Sequence, residues 1–190
     1  MRKSRIETAE TRQRIIDVAA RKFRLNGITA TGLHDVMSDA GLTHGGFYRH
    51  FESKDQLVAE ACAVATKKLV VTLEDAASES DGEDGFRAIV ERYVSTIHRD
   101  DVADGCPLSG MGSELARCDE NTRVAASRGF SKLIDLVAKQ LGRQRSDSTE
   151  SRAVFAVAAM IGAVTMSRIL TDSDASTSVL NHVREHLDAI

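Results

Sequence analysis

Along most of the chain apolar residues recur at helical spacing, which predicts a series of amphipathic helices. The first, from about residue 8 to 26, carries Ile15, Ile16, Ala19 and Phe23 on one face, with Gly27 as its stop. Thr31 is expected to cap a second helix that ends near Ala40-Gly41, and Thr43 a third from about residue 44 to 51. Ser53 with Gln56 forms a capping-box pattern for a long fourth helix through Leu57, Ala61 and Leu69. Residues 78–82 read as a loop. A fifth helix carries Phe86, Ile89, Val90, Tyr93, Val94 and Ile97, and a break over residues 100–107 precedes a short helix with Met111 and Leu115. Asp119 is placed to cap the next, whose apolar face is Val124, Leu133, Ile134, Val137 and Leu141 before Gly142. Residues 143–149 read as polar loop, and the last two helices as about 151–170 and 176–187. The fold class is all-α: a three-helix unit over residues 1–52, then a larger helical bundle over residues 53–190. There is no internal repeat and no low-complexity tract.

Composition supports helices. The chain has one Pro, no Trp and few aromatics, while 42% of its 190 residues are hydrophobic, many of them Ala, Val and Leu. The net charge of -3 does not suggest a nucleic-acid protein, but its distribution does. Residues 1–25 hold eight Lys/Arg against three acids, a balance of +5, so the remaining residues carry −8. A basic head on an acidic body points to polyanion binding at one end.

The segment from Thr31 to Lys54 sharpens this reading. Two short helices joined by a Gly-containing turn are the sequence form of a helix-turn-helix. The second begins Thr43-His44-Gly45-Gly46, so its leading end is nearly bare of side chains and suits a deep groove. Thr43, His44 and Gly45 are therefore candidates for base edges. Tyr48, His50 and Lys54 are donors suited to phosphate, and Thr31 and His34 candidates for the DNA backbone from the second helix.

Here a resemblance becomes specific. The run Thr-His-Gly-Gly-Phe-Tyr-Arg-His-Phe-Glu-Ser-Lys-Asp-Gln-Leu, starting at Thr43, resembles the DNA-binding domain of the TetR family of bacterial regulators. Arg12, Ile15, Ile16, Ala19, Ala20, Phe23 and Gly27 resemble that family's first helix. The match covers roughly the first third of the chain, and the remainder fits in outline. Gly32 departs from the pattern, since a hydroxyl residue is usual there. The resemblance implies double-stranded operator DNA as partner, a helical ligand-binding C-terminal domain, and a homodimer through a four-helix bundle of the last two helices.

The residues themselves fit such a dimer. Ala153, Val154, Val157, Ala158, Ile161, Gly162 and Val164 cover more than one helix face, which suits contact with both the chain's own core and a partner. Val179, Leu180, Val183 and Leu187 give the final helix an apolar stripe. Phe86, Val90, Tyr93, Cys106, Met111, Leu115, Phe130, Met160 and Met166 are the large or soft residues of the central helices. They are candidates for an apolar effector pocket, with Tyr93 and His98 as polar handles. Gly105-Cys106-Pro107-Leu108 resembles a loop found in one subgroup of these regulators. A Cys at a helix N-terminus can have a lowered pKa, so Cys106 is also a candidate thiol sensor, against the plainer reading of a packed side chain.

Other chemistry is weakly signalled. Cys62, Cys106 and Cys118 form no disulfide framework, which points to a reduced, cytoplasmic protein. The N-terminus has no apolar run of a secretory signal, and residues 153–164 are too short to span a bilayer. His182-Val183-Arg184-Glu185-His186 matches a zinc-protease pattern but leaves no room for a third ligand. His44 and His50, six apart, make a poor metal pair. No nucleophile elbow, phosphate loop or metal set is found, so no enzyme activity, cofactor or metal is expected. The expected function is a repressor released from its operator by a small hydrophobic ligand. The alternatives are a thiol-based electrophile sensor acting through Cys106 and a DNA-binding protein with no effector.

Overall fold

The helical periodicity closes two separate apolar cores. The computed structural model describes residues 5–80, 85–142 and 147–190. Among the described residues lie nine α-helices, one short 3-10 helix and no strand. α1 (Arg5–Asn26), α2 (Leu33–Asp39) and the 3-10 helix His44–Arg49 form the head. The body follows as α3 (Lys54–Glu79), α4 (Gly85–Tyr93), α5 (Thr96–Asp100), α6 (Pro107–Leu115), α7 (Glu120–Leu141), α8 (Asp147–Ile169) and α9 (Ser173–Leu187).

The head core is built from Ile15, Ala19 and Phe23 of α1, Val36 and Met37 of α2, and Phe47 and Phe51 around the 3-10 helix. Leu57, Val58, Ala61, Cys62 and Ala65 complete it from the first half of α3, and Met111 and Leu115 of α6 enter it too. Leu69 and Leu73, farther along α3, belong instead to the body core with Ile89, Val90, Tyr93, Leu133, Val157, Met160 and Leu180. One helix thus runs through both cores. A rigid helix shared in this way transmits displacement, because packed cores do not deform continuously. α7 lies close along α3: a Cβ at Gly129 would sit 2.9 Å from the Thr66 hydroxyl.

Several local expectations change. Thr31 does not cap α2. It is buried, its hydroxyl donates to the Gly27 carbonyl at 2.7 Å, and Gly32 occupies the cap position without a side-chain bond. Thr43 does hold the cap position of the next helix, but its side chain makes no capping bond. That helix is a 3-10 helix of six residues, with Gly46 N–H on the Thr43 carbonyl at 3.0 Å. Gly45-Gly46, poor α-helix formers, favour a tighter short turn. Ser53 caps α3 as expected, accepting from Gln56 N–H at 3.1 Å. The Gln56 side chain reaches back one residue farther, to Glu52 N–H at 2.7 Å. Asp119 and Asp172 cap α7 and α9.

The single helix expected through Ile97 is two. Ser95 accepts from His98 N–H, and the His98 ring donates to the Tyr93 carbonyl, so local side-chain bonds replace the continuing ladder. α3 continues through Ser78 and Glu79, and α8 starts at Asp147 rather than near residue 151. Asp81, Gly82 and residues 143–146 of the expected loops lie outside the described residues. α9 begins at Ser173. α8 is longer than the apolar run alone suggested: at 23 residues it is long and apolar enough to cross a membrane. Its inner side, with Ala153, Ala156, Val157, Met160 and Val164, is buried in the bundle core.

Candidate nucleic-acid interface and effector cleft

The head presents one polar, open end. Phe47 is fully buried and stacks on Phe51 with ring centroids 5.5 Å apart, which anchors the 3-10 helix to the core. Around that anchor Thr43, His44, Gly45, Tyr48 and Arg49 are exposed, Tyr48 at 69%. Among the described residues beyond its chain neighbours, a Cβ added at Gly45 would meet nothing within 4 Å, so this edge is open as well as bare. His34 is exposed on α2, 3.5 Å from Asp35. His50 is half-buried beside Phe51, and its carbonyl accepts from Arg12 at 3.2 Å.

Two of the sequence candidates have structural occupations. Thr31 is buried as described. Lys54 is half-buried: its ammonium donates to the Ile28 carbonyl at 2.6 Å and lies 6.0 Å from the Phe23 ring. Arg49, which sequence reasoning passed over, is an exposed cation on the 3-10 helix itself. Its place inside the expected reading helix was the available signal.

The turn after α1 carries a contact that spans the two units. Gly27 turns the chain with a φ of +85°, where a side chain is strained. The Glu114 carboxylate of α6 then accepts from Ile28 N–H at 3.0 Å and Thr29 N–H at 2.9 Å. Partial burial acts to raise this carboxyl, but the Thr29 and Ile28 amides outweigh it and hold it below its ordinary value. With Lys54 on the Ile28 carbonyl, this peptide is gripped from both sides. A second link joins α1 to the loop before α6. Arg24, buried, donates to the Ala103 carbonyl at 2.6 Å, and Arg21 pairs with Asp104.

A cleft of about 800 Å³ opens beside this link, where α1, α3, α4 and α5 meet. Of the residues expected in a pocket, Tyr93 lines it, as does the handle His98. The others do not. Val90, Cys106 and Met160 are packed in the body core, with Phe86 and Phe130 partly buried against it. Met111 and Leu115 lie in the head core, and Met166 is 49% exposed on α8. The actual lining is polar and apolar together: Arg24, Lys67, Lys68 and Arg92 with Leu69, Val71, Leu73 and Ile97.

Behind the cleft is a buried polar knot. His98 Nδ1–H donates to the Tyr93 carbonyl at 2.7 Å, and Nε2 accepts from Cys106 N–H at 2.9 Å, which fixes one neutral tautomer. Arg168 donates to the carbonyls of Arg99 at 2.9 Å and His98 at 2.8 Å. A Cβ at Gly105 would lie 2.8 Å from the Asp101 carbonyl, so this loop position has no room for a side chain. Burial pushes the Cys106 thiol up despite its place at the start of α6, contrary to the lowered pKa expected of a sensor. Burial likewise holds His98 down to about 4 from 6.5. Between those values the unfolded chain takes up a proton that the folded chain refuses, so stability falls as pH drops from 6.5 towards 4. The loss reaches about 3 kcal/mol for a shift of this order. Urea unfolding at about pH 7 and about pH 5 should show a smaller difference for His98→Gln than for wild type. Equal differences would mean that His98 is not held neutral.

Among the described residues no group of three or more His, Cys, Asp or Glu is placed to hold a metal. His182 and His186 are exposed, and each Nδ1 is spent on the carbonyl four residues back, at 2.8 Å.

Known proteins agree with this architecture. The profile of bacterial regulatory proteins of the tetR family matches residues 15–61. That of the LmrA/YxaF-like transcriptional regulator C-terminal domain matches residues 83–186. The HTH-type transcriptional regulator LmrA of Bacillus subtilis (strain 168) is 24% identical over 146 residues, 76% of this chain and 77% of that protein. A probable acrEF/envCD operon repressor of Escherichia coli (strain K12) is 37% identical over 59 residues, 31% of this chain and 27% of that protein. A TetR transcriptional regulator from Chloroflexus aurantiacus J-10-FL superposes with a TM-score of 0.76 at 27% identity, covering 96% of this chain and 94% of that one. Proteins of this family bind operator DNA and are dimers. The chain belongs to the TetR family: it is a DNA-binding transcriptional regulator with an LmrA/YxaF-like C-terminal domain.

Proposed function

We propose that the protein is a cytoplasmic homodimeric repressor whose heads leave operator DNA when a small amphipathic molecule enters the cleft beside α3. Residues 1–52 read DNA, and residues 53–190 dimerise and sense. The observation that carries this reading is the grip of Glu114 on the turn at Ile28 and Thr29. It couples α6 to the head, while α3 links the cleft wall to the same head core. A ligand that favours one position of α3 and α6 changes the separation of two heads in a dimer, and so their register on two half-sites. The likeness of the head to an operon repressor supports repression. The raised Cys106 thiol argues against the covalent version of sensing.

On DNA, Thr43, His44 and Gly45 approach base edges, and Tyr48, Arg49, His34 and His50 face the backbone. His44→Ala should change which duplexes are selected from a random pool, since it removes a base-edge donor. Arg49→Ala should weaken binding about equally on all sequences and reduce the salt slope by roughly one unit. Tyr48→Phe should weaken binding about threefold to tenfold without changing that slope, because the hydroxyl carries no charge. Lys54→Ala should lower affinity and melting temperature together, given its bond to Ile28. Selection and gel shifts that return wild-type results for His44, Tyr48 and Arg49 variants alike would move the reading face elsewhere.

The dimer forms through α8 and α9. Phe155, Ala158, Gly162, Met166 and Ile169 follow one another at three- and four-residue steps on the outer side of α8. Phe155 is 59% and Ile169 65% exposed in the single chain. An apolar stripe left open on a helix already packed on its other side is what a second copy covers.

A further inference from the structure

Resting on the reading of the cleft as the effector site, we infer that its ligand is an amphipathic organic anion: an acidic group on an aryl or alkyl body. The charge around the cleft carries this. Four of its lining residues are cations, Arg24, Lys67, Lys68 and Arg92, against two acids, Asp101 and Asp104. Asp104 is already engaged by Arg21 and lies 3.7 Å from Arg24. Asp101 accepts from the Asp104 amide at 3.1 Å. Lys68 is paired with Asp17 at 3.0 Å. Lys67 and Arg92 have no carboxylate within ion-pair distance among the described residues, so the cleft holds uncompensated positive charge.

A second observation points the same way. Arg24 is 4% exposed, yet its Nη1 has no hydrogen-bond partner among the described residues. A buried guanidinium N–H left unpaired costs free energy, and an acceptor brought by a ligand recovers it. The third is the apolar wall. Ile97 is 72% and Val71 45% exposed, both lining the cleft among the cations. Apolar surface held open between cations matches a ligand with an acidic end and an apolar body. A neutral hydrophobe would leave the cations no better matched than water does, and a small inorganic anion would leave Ile97 and Val71 uncovered.

Occupation also has a direct consequence for the head. Arg24 belongs to α1 and is tied to the loop that leads into α6. An anion drawn to Arg24 competes with Asp104 and Ala103 for the guanidinium, and so loosens the bond between α1 and that loop.

The test uses two dyes of one skeleton. 1-Anilinonaphthalene-8-sulfonate carries the acidic group, and N-phenyl-1-naphthylamine lacks it. Both are titrated by fluorescence into the 190-residue protein and into Arg92→Glu, Lys67→Glu and Ile97→Trp, with melting curves to show that each variant is folded. The expected result is tighter binding of the sulfonate than of the neutral dye. Each charge reversal should weaken the sulfonate about tenfold, the size of one near-surface charge interaction, and leave the neutral dye within twofold. Ile97→Trp should block both. If the neutral dye binds as tightly and the reversals change neither, while Ile97→Trp still blocks both, the anionic class is overturned and the cleft remains the site. If Ile97→Trp affects neither dye, the cleft reading itself falls.

Discussion

Gly162→Arg is expected to turn the dimer into a monomer and to lower operator affinity by at least about 100-fold, the advantage that joining two half-site contacts confers. The size of the effect follows from where Gly162 sits. It lies in the outward stripe of α8, between Ala158 and Met166, where small residues let two helices approach closely. Among the described residues a Cβ there would meet nothing within 4 Å outside its own helix turn. An Arg therefore fits the isolated protomer, and it removes a helix-interior glycine that costs about 1 kcal/mol relative to a better helix former. Whatever is lost must come from the partner: in the proposed dimer a guanidinium there meets the partner's apolar surface without a counter-charge. Size exclusion with light scattering at micromolar concentration reads the oligomer, and a gel shift on a selected duplex reads the affinity. A Gly162→Arg protein that stays dimeric and binds DNA like wild type would place the interface on another face.

What the sequence made legible here is local. The helix-turn-helix was readable because its signals are short-range: Gly27 and Gly41 at positive φ, the Ser53 cap and the glycines after Thr43. The family resemblance draws on Gly27 with the face of the first helix and on the run that starts at Thr43. α7 and its Asp119 cap, and the apolar width of α8, were equally readable from periodicity. The cleft was not. Choosing the large apolar residues of central helices selects those that the periodic pattern buries, and Val90, Met160 and Cys106 are indeed core. A cleft is lined where the pattern is broken, at Val71 and Ile97, which are apolar but exposed, and at cations drawn from α1, α3 and α4. Nothing in sequence spacing brings residue 24 to residue 103, or residue 28 to residue 114. The split at Ser95 was hidden for a different reason. Ile97 keeps the helical spacing of α4, and it is the Ser95 hydroxyl on His98 N–H and the His98 ring turned back on the Tyr93 carbonyl that show the ladder has stopped.

Glu114→Ala should have the second large effect, because one carboxylate serves two backbone amides of the head. Its loss leaves the N–H groups of Ile28 and Thr29 without their acceptor, and removes the counter-charge near Lys54. Hydrogen bonds to a charged group are worth about 1.5–3 kcal/mol each. This carboxylate is partly open to solvent and the Thr29 amide is exposed, so water replaces part of the loss and a stability cost of about 2 kcal/mol is expected. The more specific consequence is on the turn. Freed from α6, residues 27–31 should exchange their amide hydrogens faster, while the core of α1 at Ile15 and Ala19 stays protected. DNA binding must then order the turn again, at about 1–2 kcal/mol per residue fixed, which predicts a fall in operator affinity of about tenfold or more. Glu114→Gln keeps one carbonyl oxygen as acceptor and should lie between the two. The pH dependence has a defined sign. A carboxyl held below its ordinary value in the folded state stabilises above the unfolded pKa, and that contribution is lost as pH falls through the folded one. Hydrogen exchange read by mass spectrometry, together with a gel shift, separates the possibilities. If the Glu114→Ala turn exchanges at the wild-type rate and the operator is bound as tightly, α6 does not hold the head through this contact, and α3 alone carries the signal between cleft and DNA.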